Sequence, residues 1–292
     1  MAVFHTWGFT FGILGNIISV MVFLAPMPTF IRIYKEKSTM GFDSLPYAVA
    51  LFSSMLWLYY ALLKTNVVLL ITINLFGCLI QTAYLFIFFT YASTKARNHT
   101  AKILGLMNVG LLCVIFAVTF FVFEGTTRAR VVGWICVAVS VCVFAAPLSI
   151  IFRVVRTRSV EFMPFPLSFF LTLSAIMWFA YGLFQKDLCV ALPNVMGFLL
   201  GMIQMLVYGI FRNKQLEIKA SAPSTPISIT IPISTPITTP ISTIPIASND
   251  HNPISIKVVE TAEIQDTALP CSMAAEPPHL HTPLPMLVCA AT

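Results

Sequence analysis

Two asparagines stand in otherwise apolar surroundings, Asn74 in Ile73-Asn74-Leu75-Phe76-Gly77 and Asn194 in Leu192-Pro193-Asn194-Val195-Met196-Gly197. An amide in a hydrocarbon-length helix carries donors and acceptors that lipid cannot satisfy, so it faces a partner helix or a water-filled path. A lone asparagine is readily explained as glue between helices. Two, 120 residues apart and each followed three residues later by glycine, suggest matching places in a repeated unit and one shared polar site. Trp57 and Trp178 extend the pattern, each one helical turn after a serine (Ser53, Ser174) and therefore on its face. Indole faces stack on the C–H surface of a pyranose while amides bond its hydroxyls, so the set suits a neutral, hydroxylated solute. For either tryptophan alone, the aromatic belt at the lipid interface is the alternative.

The acids are conspicuous for where they are missing. No Asp or Glu occurs from Ser44 to Phe123, Gly125 to Val160, Phe162 to Lys186 or Leu188 to Leu216. Glu36, Asp43, Glu124, Glu161 and Asp187 all fall at expected membrane edges. Proton-coupled carriers rely on titratable groups at membrane depth, so coupling to protons is not expected. Enzyme chemistry is unsupported too. There is no pair of Asp for an intramembrane aspartyl site, no Gly-x-Ser-x-Gly, and no lysine in the last apolar run to form a Schiff base. The seven cysteines lack paired spacing and form no His/Cys cluster, so neither a metal, another cofactor nor a disulfide framework is expected.

Those residues must be positioned by membrane helices. Of 292 residues, 58% are hydrophobic and 10% charged, with mean hydropathy +0.89, against roughly 25% charged in a soluble domain. The net charge of +6 is spread over short loops, which argues against nucleic acid. Apolar runs of bilayer length fall near 7–30, 46–63, 67–91, 103–123, 131–152, 165–184 and 188–211. The first carries no basic n-region and is too long for a signal peptide, so it reads as a retained helix. Twelve Lys and Arg occupy the loops after the first, third and fifth spans and the start of the tail, against four in the opposite loops. This bias predicts an extracellular N-terminus and a cytosolic C-terminus. The sequon Asn98-His99-Thr100 would then lie in the cytosol, unglycosylated.

An internal repeat is legible. Leu24-Ala25-Pro26-Met27 matches Ala145-Ala146-Pro147-Leu148, and Ser53-x-x-x-Trp57-x-x-Tyr60 matches Ser174-x-x-x-Trp178-x-x-Tyr181, all at an offset of 121. The fourth run has no counterpart and restores the phase between the units. The expected fold is therefore all-α, seven transmembrane helices as two parallel triple-helix bundles joined by a linker helix (3+1+3). Its bounds are 1–98 and 128–214 for the bundles, 99–127 for the linker and 215–292 for a disordered cytosolic tail, rich in Ser, Thr and Pro. Pro26 and Pro147 fall inside spans, and Pro46 and Pro164 start spans, all toward the cytosolic ends, where they could hinge a gate. At the outer ends Tyr60, Lys64, Tyr181 and Asp187 could close the other side by hydrogen bonds and an ion pair.

The segments Gly12-Ile13-Leu14-Gly15-Asn16, Leu24-Ala25-Pro26, Phe42-x-x-Leu45-Pro46-Tyr47, Ser159-Val160-Glu161-Phe162-Met163-Pro164 and Ala191-Leu192-Pro193-Asn194 resemble the SWEET sugar transporters of plants, over about residues 5–213. The resemblance implies a facilitative, bidirectional sugar uniporter, joined into homo- or hetero-oligomers with related transporters. It implies sugar binding by Asn74, Asn194, Trp57 and Trp178, and a gating tetrad of Pro26, Pro46, Pro147 and Pro164. It also implies size selection by Val22, Ser53, Val143 and Ser174, the small-residue set of the sucrose-transporting clade III. The expected function is sucrose movement down its gradient by alternating access at the plasma membrane. A hexose carrier of the same fold is the nearest alternative. A seven-helix receptor is a further one, disfavoured by the repeat and by the absence of Asp-Arg-Tyr and Asn-Pro-x-x-Tyr signatures. Proline-to-tryptophan spacings of 11 and 14 differ between the halves, so symmetry of the tetrad is not given by the repeat alone.

Overall fold

The computed structural model describes residues 2–160, 163 and 165–221. Pro164 and the Ser/Thr/Pro-rich stretch beyond Ser221 lie outside them. Ten α-helices and one π-helical segment make up the described chain, in which there is no strand. They are α1 (Ala2–Leu24), α2 (Met27–Glu36), α3 (Leu45–Leu62), α4 (Val68–Tyr91), α5 (Thr94–Ile103), the π segment (Leu104–Leu111), α6 (Leu112–Val122), α7 (Gly125–Val143), α8 (Ala145–Thr157), α9 (Phe165–Phe184) and α10 (Leu188–Ser221). Taken as continuous rods, these give seven stretches long and apolar enough to cross a bilayer.

Several spans outrun their apolar cores. The first reaches Glu36, the fourth starts at Thr94 and the fifth covers Gly125–Thr157, because polar but helix-compatible residues continue the ladder past the hydrocarbon edge. Likewise α10 runs on to Ser221, past the boundary expected at 215. Gln215-Leu216-Glu217-Ile218-Lys219-Ala220 are mostly good helix formers, and the next proline after Pro193, which lies inside α10, is Pro223.

Packing follows the repeat. In the first bundle α4 lies between α1 and α3; in the second α10 lies between α9 and α7. Across the halves α1 packs on α9 and α3 on α7, which closes a ring of six helices. The linker, formed by α5, the π segment and α6, stands outside this ring against α3. The break after α1 spans Ala25-Pro26, and its mate is a one-residue break at Phe144, three residues before Pro147. Pro46 sits in the first turn of α3, where its missing N–H costs nothing. Lys37 and Arg158, also 121 residues apart, close α2 and α8 in the left-handed conformation at φ 53° and 52°.

The burial pattern is that of a bilayer protein. Phe86, Leu106, Phe121 and Phe152 are more than 70% exposed, while Ser54, Asn74, Gln81, Asn194 and Gln204 are buried. Lipid is as apolar as leucine, so association inside it rests on close packing and hydrogen bonds rather than on hiding apolar surface.

Candidate functional site

On α3 the spacing of Ser53, Trp57 and Tyr60 puts all three on one buried face; on α9 Ser174, Trp178 and Tyr181 do the same. In each helix the tryptophan meets its tyrosine edge to face, with centroids 5.6 Å apart at 86° for Trp57–Tyr60 and 5.3 Å at 78° for Trp178–Tyr181. The asparagines repeat each other too. Asn74 Nδ2 donates to Leu70 O and Asn194 Nδ2 to Val190 O, both at 2.8 Å and both one turn back on their own helix. With its NH2 so engaged, Asn194 is left with a buried oxygen, Oδ1, that has no partner. Val22 and Val143 are buried beside the helix breaks, at 2% and 6% exposure. Trp57, Trp178, Asn74 and Asn194 are each at most 1% exposed, so a bulky solute reaches them only when the helices part.

The two halves are not equivalent, however. The Trp178 indole donates to Ser19 Oγ at 2.9 Å, and Ser19 Oγ lies 2.9 Å from Ser174 Oγ. This relay joins α1 to α9 across the halves. The repeat mate of Ser19 is Ser140, yet the Trp57 indole N–H is buried without a partner. A buried donor or acceptor left unpaired costs about 1–3 kcal/mol. Among the described residues the Trp57 donor and the Asn194 acceptor are thus left open, one in each half.

At the end of the helices beyond Tyr60 the halves are tied together. Tyr60 Oη donates to both Asp187 oxygens, at 2.8 and 2.7 Å, and Lys64 Nζ lies 3.0 Å from Oδ2. Asp187 immediately precedes α10, and its Oδ1 accepts the backbone N–H groups of Cys189 and Val190 at 3.1 and 3.4 Å. A carboxylate is at home on exposed N-terminal amides, which explains an acid that is 95% buried here. Tyr181 makes no hydrogen bond to Asp187, and its ring packs against the opposite half instead. A Cβ on Gly12 would come within 2.8 Å of its ring, and one on Gly133, the repeat mate of Gly12, within 2.8 Å of the Tyr60 ring. Each tyrosine thus lies over a glycine of the opposite half.

Of the expected site residues, the structure joins Tyr60, Lys64 and Asp187 directly, and Ser174 with Trp178 through Ser19. The proline tetrad is incomplete in the described residues because Pro164 falls outside them. Ser19, Gly12 and Gly133 are additions. The offset of 121 that pairs Ser19 with Ser140 and Gly12 with Gly133 was the available signal for them. Among the described residues no group of three or more His, Cys, Asp or Glu could hold a metal.

Six repeated membrane helices in a ring around buried neutral polar groups are the frame of a multi-pass membrane protein built from two like halves. The sequence profile described as "sugar efflux transporter for intercellular exchange" matches this chain twice, over residues 9–96 and 130–216. The chain is 60% identical over 230 residues to the bidirectional sugar transporter N3 of Medicago truncatula, covering 77% of this chain and 86% of that one. It is 57% identical over 208 residues to the bidirectional sugar transporter SWEET11 of Arabidopsis thaliana, covering 71% and 72%. A solved eukaryotic SWEET transporter superposes with a TM-score of 0.69 at 34% identity, covering 72% of this chain and 99% of that one. The chain belongs to the SWEET family, and it is a multi-pass sugar transporter rather than an enzyme.

Proposed function

We propose that this chain is a plasma-membrane uniporter that carries sucrose down its gradient in either direction by alternating access. The observation that carries the reading is the two-fold set of buried neutral groups, Trp57 with Asn74 and Trp178 with Asn194, at a depth free of carboxylates. Such a set recognises hydroxyls and has no group with which to move a proton. Residues 1–98 and 128–214 are the moving halves, 99–127 the linker, and Pro26, Pro46, Pro147 and Pro164 the hinges at the cytosolic ends. Tyr60, Lys64, Tyr181 and Asp187 close the extracellular end, in keeping with the distribution of Lys and Arg over the loops. The tail is cytosolic, and the working assembly is an oligomer of this chain or of this chain with related transporters.

Sucrose is favoured by the small side chains Val22, Ser53, Val143 and Ser174 beside the site, which leave room for a second ring. The relatives' names speak only of sugar, so a hexose carrier is the second reading. Tracer uptake of sucrose and glucose, run in parallel in cells expressing the chain, decides between them. Sucrose uptake well above that of empty cells is expected, and glucose uptake without sucrose uptake would contradict the substrate assignment.

A further inference from the structure

The linker is nearly bare. In the hydrophobic window of this span only 11% of residues are buried, and across its three segments the buried ones are Thr100, Asn108 and Thr119. All three are polar, and each bonds to α3 or its cap. Thr100 Oγ1 donates to Ala96 O at 2.9 Å, so in its 2.6 Å contact with Ser44 Oγ, at the cap of α3, the serine is the donor. Asn108 Nδ2 donates to Ala48 O at 3.0 Å. Thr119 Oγ1 donates to Ile115 O at 2.7 Å, which leaves Tyr59 Oη as donor across the 3.0 Å gap to Thr119. The rungs therefore run the length of α3, from the hinge at Pro46 to the residue beside Tyr60.

The π segment aligns the first two rungs. Eight residues of α-helix turn through two turns plus about 80°, which would carry Asn108 off the face of Thr100. At roughly 4.4 residues per turn the wider π coil removes most of that excess. Between the second and third rungs the helices part around an apolar cleft of about 340 Å³, lined by Met55, Leu58, Leu62, Leu112, Cys113 and Phe116 with Tyr59. The polar rungs add fixed points to an apolar contact in which Ala96, Ile103, Leu104, Met107, Leu112 and Ile115 lie against the buried cores. Its joint to α7 is local: Arg128 reaches back to Phe123 O and Phe120 O at 2.9 and 3.1 Å, a corner of five to eight residues.

From this we infer that Thr100, Asn108 and Thr119 are positioning residues that clip the linker to α3, so that linker and first half travel as one body while the second half swings about the corner at Arg128. The helix they hold in place carries Pro46, Ser53, Trp57 and Tyr60. Its mate α9 has no such splint among the described contacts. The inference rests on the rocking of halves proposed above.

Two cysteine pairs in the full chain separate the inference from that premise. Ser44→Cys with Thr100→Cys ties linker to α3, and Ser19→Cys with Ser174→Cys ties half to half. Both replace hydroxyls already in contact. Bond formation is read by peptide mass spectrometry, flux before and after reductant, with the unsubstituted chain oxidised alongside. The first tie should leave flux within about two-fold of its reduced form and the second should arrest it reversibly. Reversible arrest by the first tie, or its failure to form, overturns the clip; continued flux with the second tie formed overturns the rocking instead. Thr119→Val should slow transport several-fold and Thr119→Ser should restore it. Equal loss in both would mark Thr119 as mere packing and contradict the positioning role.

Discussion

Replacing Tyr60 with Phe removes one hydroxyl and leaves the ring over Gly133. That hydroxyl is the direct hydrogen bond from α3 to the carboxylate ahead of α10, at 2.8 and 2.7 Å to its two oxygens. Hydrogen bonds to charged groups contribute about 1.5–3 kcal/mol. Asp187 keeps Lys64 at 3.0 Å and two backbone N–H groups, so the lower end of that range applies. At about 1.4 kcal/mol per decade, the open form of this end becomes roughly tenfold more populated. Cys189 reports on it. Its side chain flanks Gly133 together with Tyr60, and the residue is 9% exposed. A charged, membrane-impermeant maleimide applied outside intact cells should label Cys189 slowly in the natural chain and about tenfold faster in Tyr60→Phe. When opening and closing are fast relative to the chemistry, the rate tracks the open population. Equal labelling rates at equal surface expression would refute the idea that this bond holds the end shut.

Asn194→Ala and Asn74→Ala should abolish sugar flux while protein still reaches the membrane; retained flux would reduce the pair to interhelical glue. Enlarging Val22 and Val143 to Leu should depress sucrose flux more than glucose flux, and equal losses would argue against a size filter. The repeated glycines after the asparagines should differ in sensitivity. A Cβ at Gly77 meets Ser54 Oγ at 2.6 Å and Phe23 at 2.8 Å, whereas at Gly197 the nearest atoms are 3.6 Å away. Gly77→Ala should therefore cost expression or melting temperature, with Gly197→Ala close to neutral in the same thermal-shift assay.

The comparison of these glycines also shows what a sequence can and cannot convey. Repeat offsets of 120 and 121 put the asparagines and the tryptophans on matching buried faces, because the same spacing makes the same face in both halves, whereas the second helix break falls at Phe144, two residues ahead of the offset from Ala25. The missing acids argue against proton coupling from the sequence alone. Asymmetry was another matter. Ser19 and Ser140 are the same residue at matching positions, yet only Ser19 takes up a tryptophan N–H, because that depends on how one bundle leans on the other. The π segment was equally hidden, since its composition is ordinary for a membrane helix and the Asn108 bond to Ala48 O that it carries is tertiary. Helix α10 runs past the boundary expected at 215 to Ser221, because good helix formers continue until Pro223.

The most direct measurement uses the purified full chain in proteoliposomes, with labelled sucrose and, separately, glucose, followed with and without an imposed pH gradient. The account predicts sucrose movement that stops when inside and outside concentrations are equal, in both directions, and is unchanged by the pH gradient. Accumulation of sugar beyond equality driven by the pH gradient, or no sugar flux from chain that is folded and inserted, would contradict it.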